Sequence, residues 1–583
     1  MHRILWICLA ASAAWAEPRI IASKHLSRVL GEERQYRIFL PADYDSAPAK
    51  RYPVIYFFHG YSERFNRSVS NYDDGPAYGG DTLAAFAARH DVILVRWDGY
   101  NPRTPGEEYK RPYNVTPVET HRQFPLYFPE FVEYIDRTYR TIPDREHRAT
   151  AGLSMGGFMS FWIAGKYPHM IGSASNFMGS SEFHAGPKDF PTEYRHTEMH
   201  MNYDGMYTRI ITGKQDFIRW YHREMNAVWS SARAHHETEE FDWDHGTPGI
   251  AKTMQFHMNA FRKPLPKPAR WHHADLYPSF DVWGWQLKTD RKEPGFTVLE
   301  NVSNRGFGLS VRRWLPDGPL LPNVHVDVIT EPSYQAGKTY IVTDTVLNGS
   351  AGKLRHSRQT ADASGRLHFS LDGARHEVGV TATPQAILVV SASVIEGNAV
   401  RLTILNKGTA PQEGLAPGAT RTMSVARPPG VRLDVSLPDE PSPVAVVLPR
   451  YPQGPVLSNV QILDGISAKF WQRAVHQETR SFGSGDGDGI PESGETFVLA
   501  WPDGGALRLG EAFSNSTCIE VVDRLSDAWA AYDHVGATSK ISILRLRPKC
   551  SSGSEVNVPV QFLLPNKPEH RWHAGQVRIK LPD

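Results

Sequence analysis

One short segment, Gly152 to Gly157, constrains the fold of this chain more than any other. It reads Gly-Leu-Ser-Met-Gly-Gly, a G-x-S-x-G pattern, and it lies between a short strand-like run, residues 148–151, and a helical run from Phe158 to Lys166. Strand, tight turn and helix are the setting in which such a serine is presented as a nucleophile, because the flanking glycines permit the close packing that the turn requires. We therefore predict that Ser154 is a nucleophile on a sharp turn.

Two residues further along the chain complete the predicted catalytic group. A serine hydroxyl is a poor nucleophile at neutral pH and needs an imidazole base that a carboxylate orients. On this kind of turn, the acid and then the histidine follow the serine in chain order. Asp216 comes just after the strand-like run Thr208 to Thr212, and His245 lies in a loop before the helical run Gly249 to Phe261. We predict that Ser154, Asp216 and His245 form a catalytic triad.

The oxyanion formed in such a reaction needs backbone N–H donors at fixed positions. The residue after the nucleophile, Met155, supplies one donor in this type of turn. The second donor is expected in the loop after the first central strand, where Tyr61 follows the apolar run Pro53 to Phe58. We assign the two donors to the backbone N–H groups of Met155 and Tyr61.

The character of the sequence changes near residue 264. Before it, apolar runs such as Pro53 to Phe58 and Val92 to Trp97 alternate with helical patterns, which indicates a parallel sheet covered by helices on both faces. After it, a proline-rich linker leads into short β-rich pieces separated by Gly, Pro, Asn and Asp, a pattern typical of β-sandwiches. The predicted divisions are a signal peptide at 1–16, an α/β domain at 17–264, a β-sandwich-like module at 265–385, and one or two further modules of that kind at 386–583.

The first residues predict export. His2 and Arg3 precede an apolar stretch and the small-x-small pattern Ala14-Trp15-Ala16, which is typical of a cleaved signal peptide. We expect a secreted or periplasmic protein without a membrane span, because no later run approaches about 18 apolar residues. In an oxidising compartment, Cys518 and Cys550 are expected to form one disulfide.

The charge balance argues against one class of partner. The chain has 64 Lys and Arg against 63 Asp and Glu, a formal net charge of +1. Proteins that bind nucleic acid usually carry a basic patch or stripe, and the sequence contains no long basic run. We therefore expect no nucleic-acid partner, and the sequence predicts no oligomeric state.

Four pieces of the sequence, taken in order, resemble a known family: Phe58 to Gly60, Gly152 to Gly157, Gly213 to Phe217, and Asp244 to Gly246. Residues from about 30 to 262 are similar to the esterase D-type putative esterases, relatives of the feruloyl and acetyl xylan esterases of carbohydrate esterase family 1 and of the mycolyltransferases. The resemblance implies an α/β-hydrolase fold with a mostly parallel central sheet, and hydrolysis of carboxylic esters. The segment 99–128, rich in Pro, Arg and Tyr, departs from the family by being longer than usual.

The expected partner is therefore an ester, and we favour acyl or hydroxycinnamoyl esters linked to polysaccharides. Aromatic and cationic residues near the predicted site are candidate substrate contacts, with core packing as the alternative explanation: Trp97, Trp220 and Arg122. A serine mechanism of this kind needs no cofactor.

A C-terminal stretch, Asp486 to Glu495, is dense in carboxylates and glycines. It partly resembles calcium loops, which space carboxylate ligands two residues apart around a glycine turn. Asp486, Asp488 and Glu492 are thus candidate calcium ligands, and a solvated acidic turn is the alternative.

The function predicted from the sequence is that of a secreted serine esterase. Three alternatives stay open: an acyltransferase that hands the acyl group to a sugar hydroxyl, a peptidase of the same fold, and a non-catalytic carbohydrate-binding or adhesion protein on a hydrolase scaffold. The complete triad argues against the last, because a decayed site is expected to have lost a member.

Overall fold

A computed structural model describes most of the chain beyond the predicted signal segment, which lies outside the described residues. The described ranges are 19–61, 63–66, 72–73, 81–99, 119–187, 189–190, 192–232, 235–348, 351–395, 399–428, 430–438, 440–448, 450, 454–465, 467–471, 478–481, 483–502, 506–514, 518–526, 531–532, 540–548, 550, 554–564, 566–567 and 571–582.

The N-terminal region is built on one eight-stranded sheet, and a small strand pair lies beside it. The strands are β1 (Arg19–Ser27), β2 (Glu32–Leu40), β3 (Val54–Phe58), β4 (Ile93–Trp97), β5 (Arg148–Gly152), β6 (Ser173–Phe177), the separate pair β7 (Glu182–Ala185) and β8 (Thr192–Arg195), β9 (Tyr207–Gly213) and β10 (His235–Phe241). The order across the sheet is β1-β2-β4-β3-β5-β6-β9-β10. Strands β1, β2 and β4 pair antiparallel, and every pairing from β4 to β10 is parallel.

Helices cover both faces of this sheet. They are α1 (Leu83–Arg89), α2 (Glu119–Thr138), α3 (Met155–Lys166), α4 (Arg219–Ser231) and α5 (Ile250–Arg262). Every residue of β3 and β4 is buried, which explains why these two strands are apolar at every position except Arg96. Separate hydrophobic clusters lie on the two faces, one around α2 and α3 and the other around α1 and α5. This is the α/β-hydrolase architecture that the sequence predicted for the N-terminal part.

The next part of the chain forms two sheets around a shared core. Its strands are β11 (Trp271–Asp275), β12 (Ser279–Val282), β13 (Trp285–Thr289), β14 (Phe296–Ser303), β15 (Gly306–Arg312), β16 (His325–Ile329), β17 (Thr339–Asn348), β18 (Ala351–Thr360), β19 (His368–Asp372) and β20 (His376–Thr381). One sheet has the order β11-β14-β15-β20-β17-β18 and the other β12-β13-β16-β19. Residues of both sheets belong to one hydrophobic cluster. The predicted boundary at 264/265 falls between α5 and β11.

The remaining part of the chain contains two further hydrophobic clusters, one within residues 389–448 and one mainly within residues 497–581, and its strands follow here in chain order. They are β21 (Leu388–Ile395), β22 (Ala399–Asn406), β23 (Thr420–Ala426), β24 (Arg432–Val435), β25 (Val444–Val447), β26 (Val456–Leu457), β27 (Gln461–Asp464), β28 (Ser467–Trp471), β29 (Glu478–Ser481), β30 (Thr496–Ala500), β31 (Arg508–Ala512), β32 (Ile519–Ser526), β33 (Ala531–Tyr532), β34 (Lys540–Leu546), β35 (Glu555–Leu563) and β36 (Trp572–Lys580). The many small sheets here agree with the β-rich character predicted after residue 264. Cys518 and Cys550 are joined by a disulfide, as predicted.

A buried ion cluster connects the N-terminal region to these last strands. The Arg195 side chain is 2% exposed and pairs with Glu511 of β31, and it lies 2.9 Å from Glu193. Lys540 of β34 pairs with Glu182 of β7 at 3.1 Å. Removing one partner of a buried pair leaves an uncompensated charge and is strongly destabilising. These ion pairs therefore hold the N-terminal region and the last strands in a defined arrangement. We call these five residues the Arg195 cluster.

Among the helices that the structure describes, none combines the length and the apolar character that crossing a bilayer would require.

Several buried histidines make stability dependent on pH. Burial lowers the pKa to about 3 or about 4 for each of seven histidines: His59, His169, His196, His200, His222, His236 and His257. An unfolded chain titrates its histidines near pH ~6.5. Between those values, the unfolded chain binds protons that the folded chain does not, so the free energy of unfolding falls as the pH is lowered.

We therefore expect the apparent Tm to drop as the pH goes from ~6.5 to ~4, measured by scanning calorimetry. His257→Gln tests the cause, because an amide can replace the imidazole between the hydroxyls of Ser173 and Ser175, which lie 2.8 and 2.9 Å from the ring nitrogens. This variant should show a shallower decline. A Tm that is flat or rises on acidification would contradict the prediction.

Candidate active site

Ser154 lies on a strained turn between β5 and α3. Its backbone has φ 58° and ψ −118°, a region that side-chain-bearing residues rarely adopt and that is associated with functional sites. A Cβ atom on Gly152 or Gly156 would collide with backbone oxygens of the turn and of β3. These two glycines therefore let the turn pack against β3, and the strand–turn–helix arrangement predicted around Ser154 is present.

Asp216 and His245 meet at the same end of the sheet. Asp216 follows β9, and its side chain is fully buried. The Nδ1–H of His245 donates to Oδ2 of Asp216 over 2.7 Å, and the backbone N–H of Ile218 donates to Oδ1 over 2.7 Å. With Nδ1 as the donor, Nε2 of His245 is the basic nitrogen, which is the tautomer that a general base needs.

The environment of Asp216 favours its ionised form. Burial by itself would raise the pKa of this carboxyl, but the hydrogen bond from His245, the nearby His222 and the N–H of Ile218 outweigh burial and lower the pKa below its usual range. An ionised carboxylate in this position holds the imidazole and would stabilise an imidazolium if His245 acts as a general base.

One short segment contacts both the serine turn and the histidine loop. The N–H of Ser154 donates to the carbonyl of Phe177 over 2.8 Å, and the N–H of Gly246 contacts Sδ of Met178 at 3.2 Å. Met178 has a positive φ of 50°. Because Phe177 and Met178 are adjacent, the turn that carries Ser154 and the loop that carries His245 are held on either side of the same point of the chain.

The two predicted oxyanion donors lie on elements that meet at the serine turn. Met155 is the first residue of α3. Tyr61 lies in a turn after β3 that is closed by a hydrogen bond of 3.4 Å from the N–H of Glu63 to the carbonyl of Gly60. The assignment of the two N–H groups as oxyanion donors stays a prediction.

A buried carboxylate holds this turn. Oε2 of Glu63 accepts the N–H of Gly60 and the hydroxyl of Tyr72, each over 2.6 Å. Arg96, fully buried on β4, lies 3.6 Å from the same oxygen and pairs with Asp73. Sequence reasoning missed Glu63, although it lies only two residues after Tyr61. These contacts limit the movement of the predicted oxyanion loop.

The three predicted substrate contacts differ in where the structure places them. Trp97 is 1% exposed and packs against Phe58 and Tyr127, whose rings lie 4.7 and 5.3 Å from its own. Its ring therefore belongs to the hydrophobic core, and the prediction that it contacts substrate is wrong. Trp220 is half-buried on α4, four residues after Asp216. The side chain of Arg122 lies outside the described residues.

Sequence reasoning also missed His222. This histidine is fully buried on α4, and burial lowers its pKa to about 4, although the charge of Asp216 acts in the opposite direction. It is therefore a neutral imidazole next to the Asp216–His245 pair. No motif marks it, because a histidine inside a helix has the same sequence signature whether it faces a site or a core.

Two of the three predicted calcium ligands, Asp486 and Asp488, lie close together, and the third carboxylate beside them is Asp464 instead of Glu492. Carboxylate oxygens of Asp464, Asp486 and Asp488 lie within 4.8 Å of one another, whereas Glu492 is not a member of this group. Asp464 ends β27, is buried, and accepts the N–H groups of Gly487 and Gly489 at 3.2 and 3.1 Å. Three carboxylates suit a hard cation such as Ca²⁺, and calcium binding stays a prediction.

Comparison with known proteins shows that the N-terminal region is similar to esterases. Residues 27–246 match the family described as "Putative esterase". An esterase of Mycobacterium tuberculosis is 26% identical over 166 residues, which are 28% of this chain and 33% of that protein; the match thus spans about a third of that relative. This region of the chain is therefore similar to the putative esterase family.

Solved structures also align with part of the chain. A ferulic acid esterase from Anaeromyces mucronatus, solved with ferulic acid, is 20% identical and covers 42% of this chain and 91% of its own, with a TM-score of 0.32. An S-formylglutathione hydrolase from Agrobacterium tumefaciens is 16% identical and covers 43% of this chain and 97% of its own, with a TM-score of 0.33.

The Asp216–His245 bond can be tested through the reactivity of Ser154. Asp216→Asn should slow the labelling of Ser154 by a fluorophosphonate by about 10³–10⁴-fold, because the amide no longer selects the tautomer in which Nε2 is basic. The matched control is Asp244→Asn, which changes an exposed carboxylate beside His245 and should label at the parental rate. Equal labelling of the Asp216→Asn and parent proteins would show that Asp216 is not the orienting acid.

Proposed function

We propose that the N-terminal domain is a serine carboxylic ester hydrolase. The observation that carries this proposal is the 2.7 Å hydrogen bond between His245 and a buried Asp216, at the end of the sheet where Ser154 occupies a strained turn. The putative-esterase match over residues 27–246 supports ester chemistry rather than a scaffold without a site.

In the proposed mechanism, Ser154 Oγ attacks the ester carbonyl while Nε2 of His245 takes its proton. The tetrahedral intermediate collapses to an acyl-enzyme as His245 returns the proton to the leaving alkoxide. Water, deprotonated by the same nitrogen, then attacks the acyl-enzyme, and the acid is released with Ser154 regenerated. The N–H groups of Met155 and Tyr61 stabilise the oxyanion in both steps.

The surroundings of the site favour a substrate with a flat, partly apolar acyl group. Three aromatic side chains at or next to proposed site residues are unusually exposed: Tyr61 (38%), Phe217 (52%) and Trp243 (38%). The Phe217 ring lies 4.8 Å from the ring of His245. Exposed aromatic rings beside a reactive centre are suited to stacking, so we propose hydroxycinnamoyl esters, carried on polysaccharide, as the preferred class.

We also propose that the protein acts outside the cytoplasm. The signal-like residues 1–16 support this, and so does the disulfide between Cys518 and Cys550, since disulfides persist in oxidising compartments.

The serine mechanism predicts complete dependence on one hydroxyl. Ser154→Ala should abolish hydrolysis of p-nitrophenyl butyrate and methyl ferulate, with kcat reduced by about 10⁵-fold or more, while Tm and circular dichroism are retained. Ser46→Ala, a change at an exposed serine away from the turn, is the control and should keep parental kcat. Equal turnover by the parent and Ser154→Ala would remove Ser154 as the nucleophile.

The aromatic residues predict selectivity for aryl acids. Trp243→Ala should lower kcat/KM for methyl ferulate about three- to tenfold relative to that for methyl butyrate, the range expected for losing one ring contact. Met423→Ala, at an exposed apolar residue of β23, should leave the ratio unchanged. If Trp243→Ala lowers both esters equally, the aromatic residues do not set the substrate class.

A further inference from the structure

A concave site lies far along the chain from Ser154, in the two-sheet part formed by β11 to β20. It is a cavity of about 440 Å³, within the range of small-molecule sites. It opens where β18, at the edge of one sheet, faces β19, at the edge of the other. Its apolar lining comes from four side chains of the shared core or its margin: Val342, Phe369, Leu371 and Val378.

A fixed polar triad forms one wall of this cavity. His376 is 2% exposed, and its Nδ1 lies 2.9 Å from Oδ1 of Asp344 while its Nε2 lies 3.0 Å from Oδ1 of Asp372. Burial opposes protonation of this imidazole, but the two carboxylates outweigh it and raise the pKa of His376. Both bonds use Oδ1, so the Oδ2 atoms of Asp344 and Asp372 are the acceptors that remain outside this triad.

Donors face these acceptors from the neighbouring strand. In the β17–β18 register, Asp344 is opposite Arg355 and Val342 is opposite Ser357. Because side chains alternate along a strand, Arg355, Ser357 and Gln359 share the cavity side of β18, and all three line the cavity. Arg355 is close enough to Asp372 for its charge to act on that carboxylate.

The balance of charge defines the class of ligand. Both ring nitrogens of His376 donate to carboxylates, so Asp344 and Asp372 are matched by one imidazolium and by the guanidinium of Arg355. This group of four side chains has no net charge although it is rich in donors and acceptors. A simple anion would meet Asp344 and Asp372, a simple cation would meet Arg355, and a purely apolar ligand would desolvate all of them without compensation. Sugar rings combine hydroxyl edges with apolar C–H faces, which match the polar wall and the apolar lining.

We propose that this cavity is a binding site for a neutral oligosaccharide. Asp344 and Asp372 accept sugar hydroxyls, Arg355 and Gln359 donate to sugar oxygens, and His376 holds the two carboxylates in place. The site would retain a polysaccharide on the protein by contacts separate from those of Ser154. The proposal does not depend on the esterase mechanism, because binding here involves no reaction at Ser154.

Binding is measured by isothermal titration calorimetry on the full chain carrying Ser154→Ala. The probes are the neutral hexasaccharides cellohexaose, xylohexaose and mannohexaose, with hexagalacturonate and the glucosamine hexamer as anionic and cationic comparisons. We expect at least one neutral hexasaccharide to bind and neither charged one to bind more tightly. Absence of binding by all three neutral probes at millimolar concentration, or tighter binding of a charged probe, would overturn the proposal.

Two variants locate the binding. Arg355→Ala, at an exposed residue, should weaken the neutral probe about tenfold or more, the loss expected for one charge-assisted hydrogen bond. Ser357→Trp, which places a ring in the cavity, should abolish binding. Arg358→Ala is the matched control, because it removes an exposed arginine of the same strand on the opposite face. Equal binding by the Arg355→Ala and Arg358→Ala proteins would place the sugar elsewhere and refute the assignment.

Esterase assays on the same variants separate this proposal from the proposed function. Arg355→Ala should retain the parental kcat toward methyl ferulate, a small soluble ester. If the protein binds the hexasaccharide but shows no Ser154-dependent turnover, the sugar-site proposal stands and the esterase mechanism is refuted. If it shows Ser154-dependent turnover but binds no hexasaccharide, the esterase mechanism stands and the sugar-site proposal is refuted.

Discussion

The active-site end of the sheet depends on one steric constraint, the close approach of the serine turn to the carbonyl groups at the end of β3. A Cβ atom on Gly156 would collide with the carbonyl oxygens of Phe58 and His59, and one on Gly152 would collide with those of Gly156 and Phe58. Backbone atoms of a central strand cannot move aside, so both positions require glycine. The same approach places Ser154, at positive φ, next to the point where the predicted oxyanion loop leaves β3. One packing contact therefore positions the proposed nucleophile and the loop that would stabilise the oxyanion formed by its attack.

Much of this site could be predicted from the sequence because its determinants are local or follow chain order. The serine turn is a local pattern, and the positions of Asp216 and His245 follow from where strands end in a parallel sheet, although only the structure shows that their side chains meet. Residues outside such rules were not predictable. An aromatic residue at the end of a strand, such as Trp97, has the same sequence signature in a core as in a pocket. Asp464 joins Asp486 and Asp488 only because β27 passes beside their loop, a pairing that local spacing does not contain.

The relation between the α/β domain and the β-rich parts is the feature that sequence reasoning missed most completely. The proline-rich linker and the β-sandwich patterns predict only that modules follow the α/β domain one after another along the chain. Instead, the contact between Arg195 and Glu511 spans 316 positions, and Arg450 bonds Glu224 of α4, the helix that also carries His222. Long-range ion pairs leave no periodic signal, since a buried arginine and a solvated one look alike in sequence. The C-terminal part of the chain therefore forms part of the surroundings that hold α4 in position beside the Asp216–His245 pair.

Buried charge also governs the predicted oxyanion loop. A buried guanidinium such as that of Arg96 is costly unless carboxylates balance it, and Asp73 and Glu63 provide that balance. Glu63 then accepts the N–H of Gly60. Below the loop, burial lowers the pKa of His59 to about 4, so the neutral ring accepts the N–H of Gly99 at Nε2 and donates to the carbonyl of Gly60 from Nδ1. The loop is thus held by both its N–H and its carbonyl groups before substrate arrives. Such preorganised dipoles need no rearrangement when the oxyanion forms, and that is the condition under which backbone donors contribute most to catalysis.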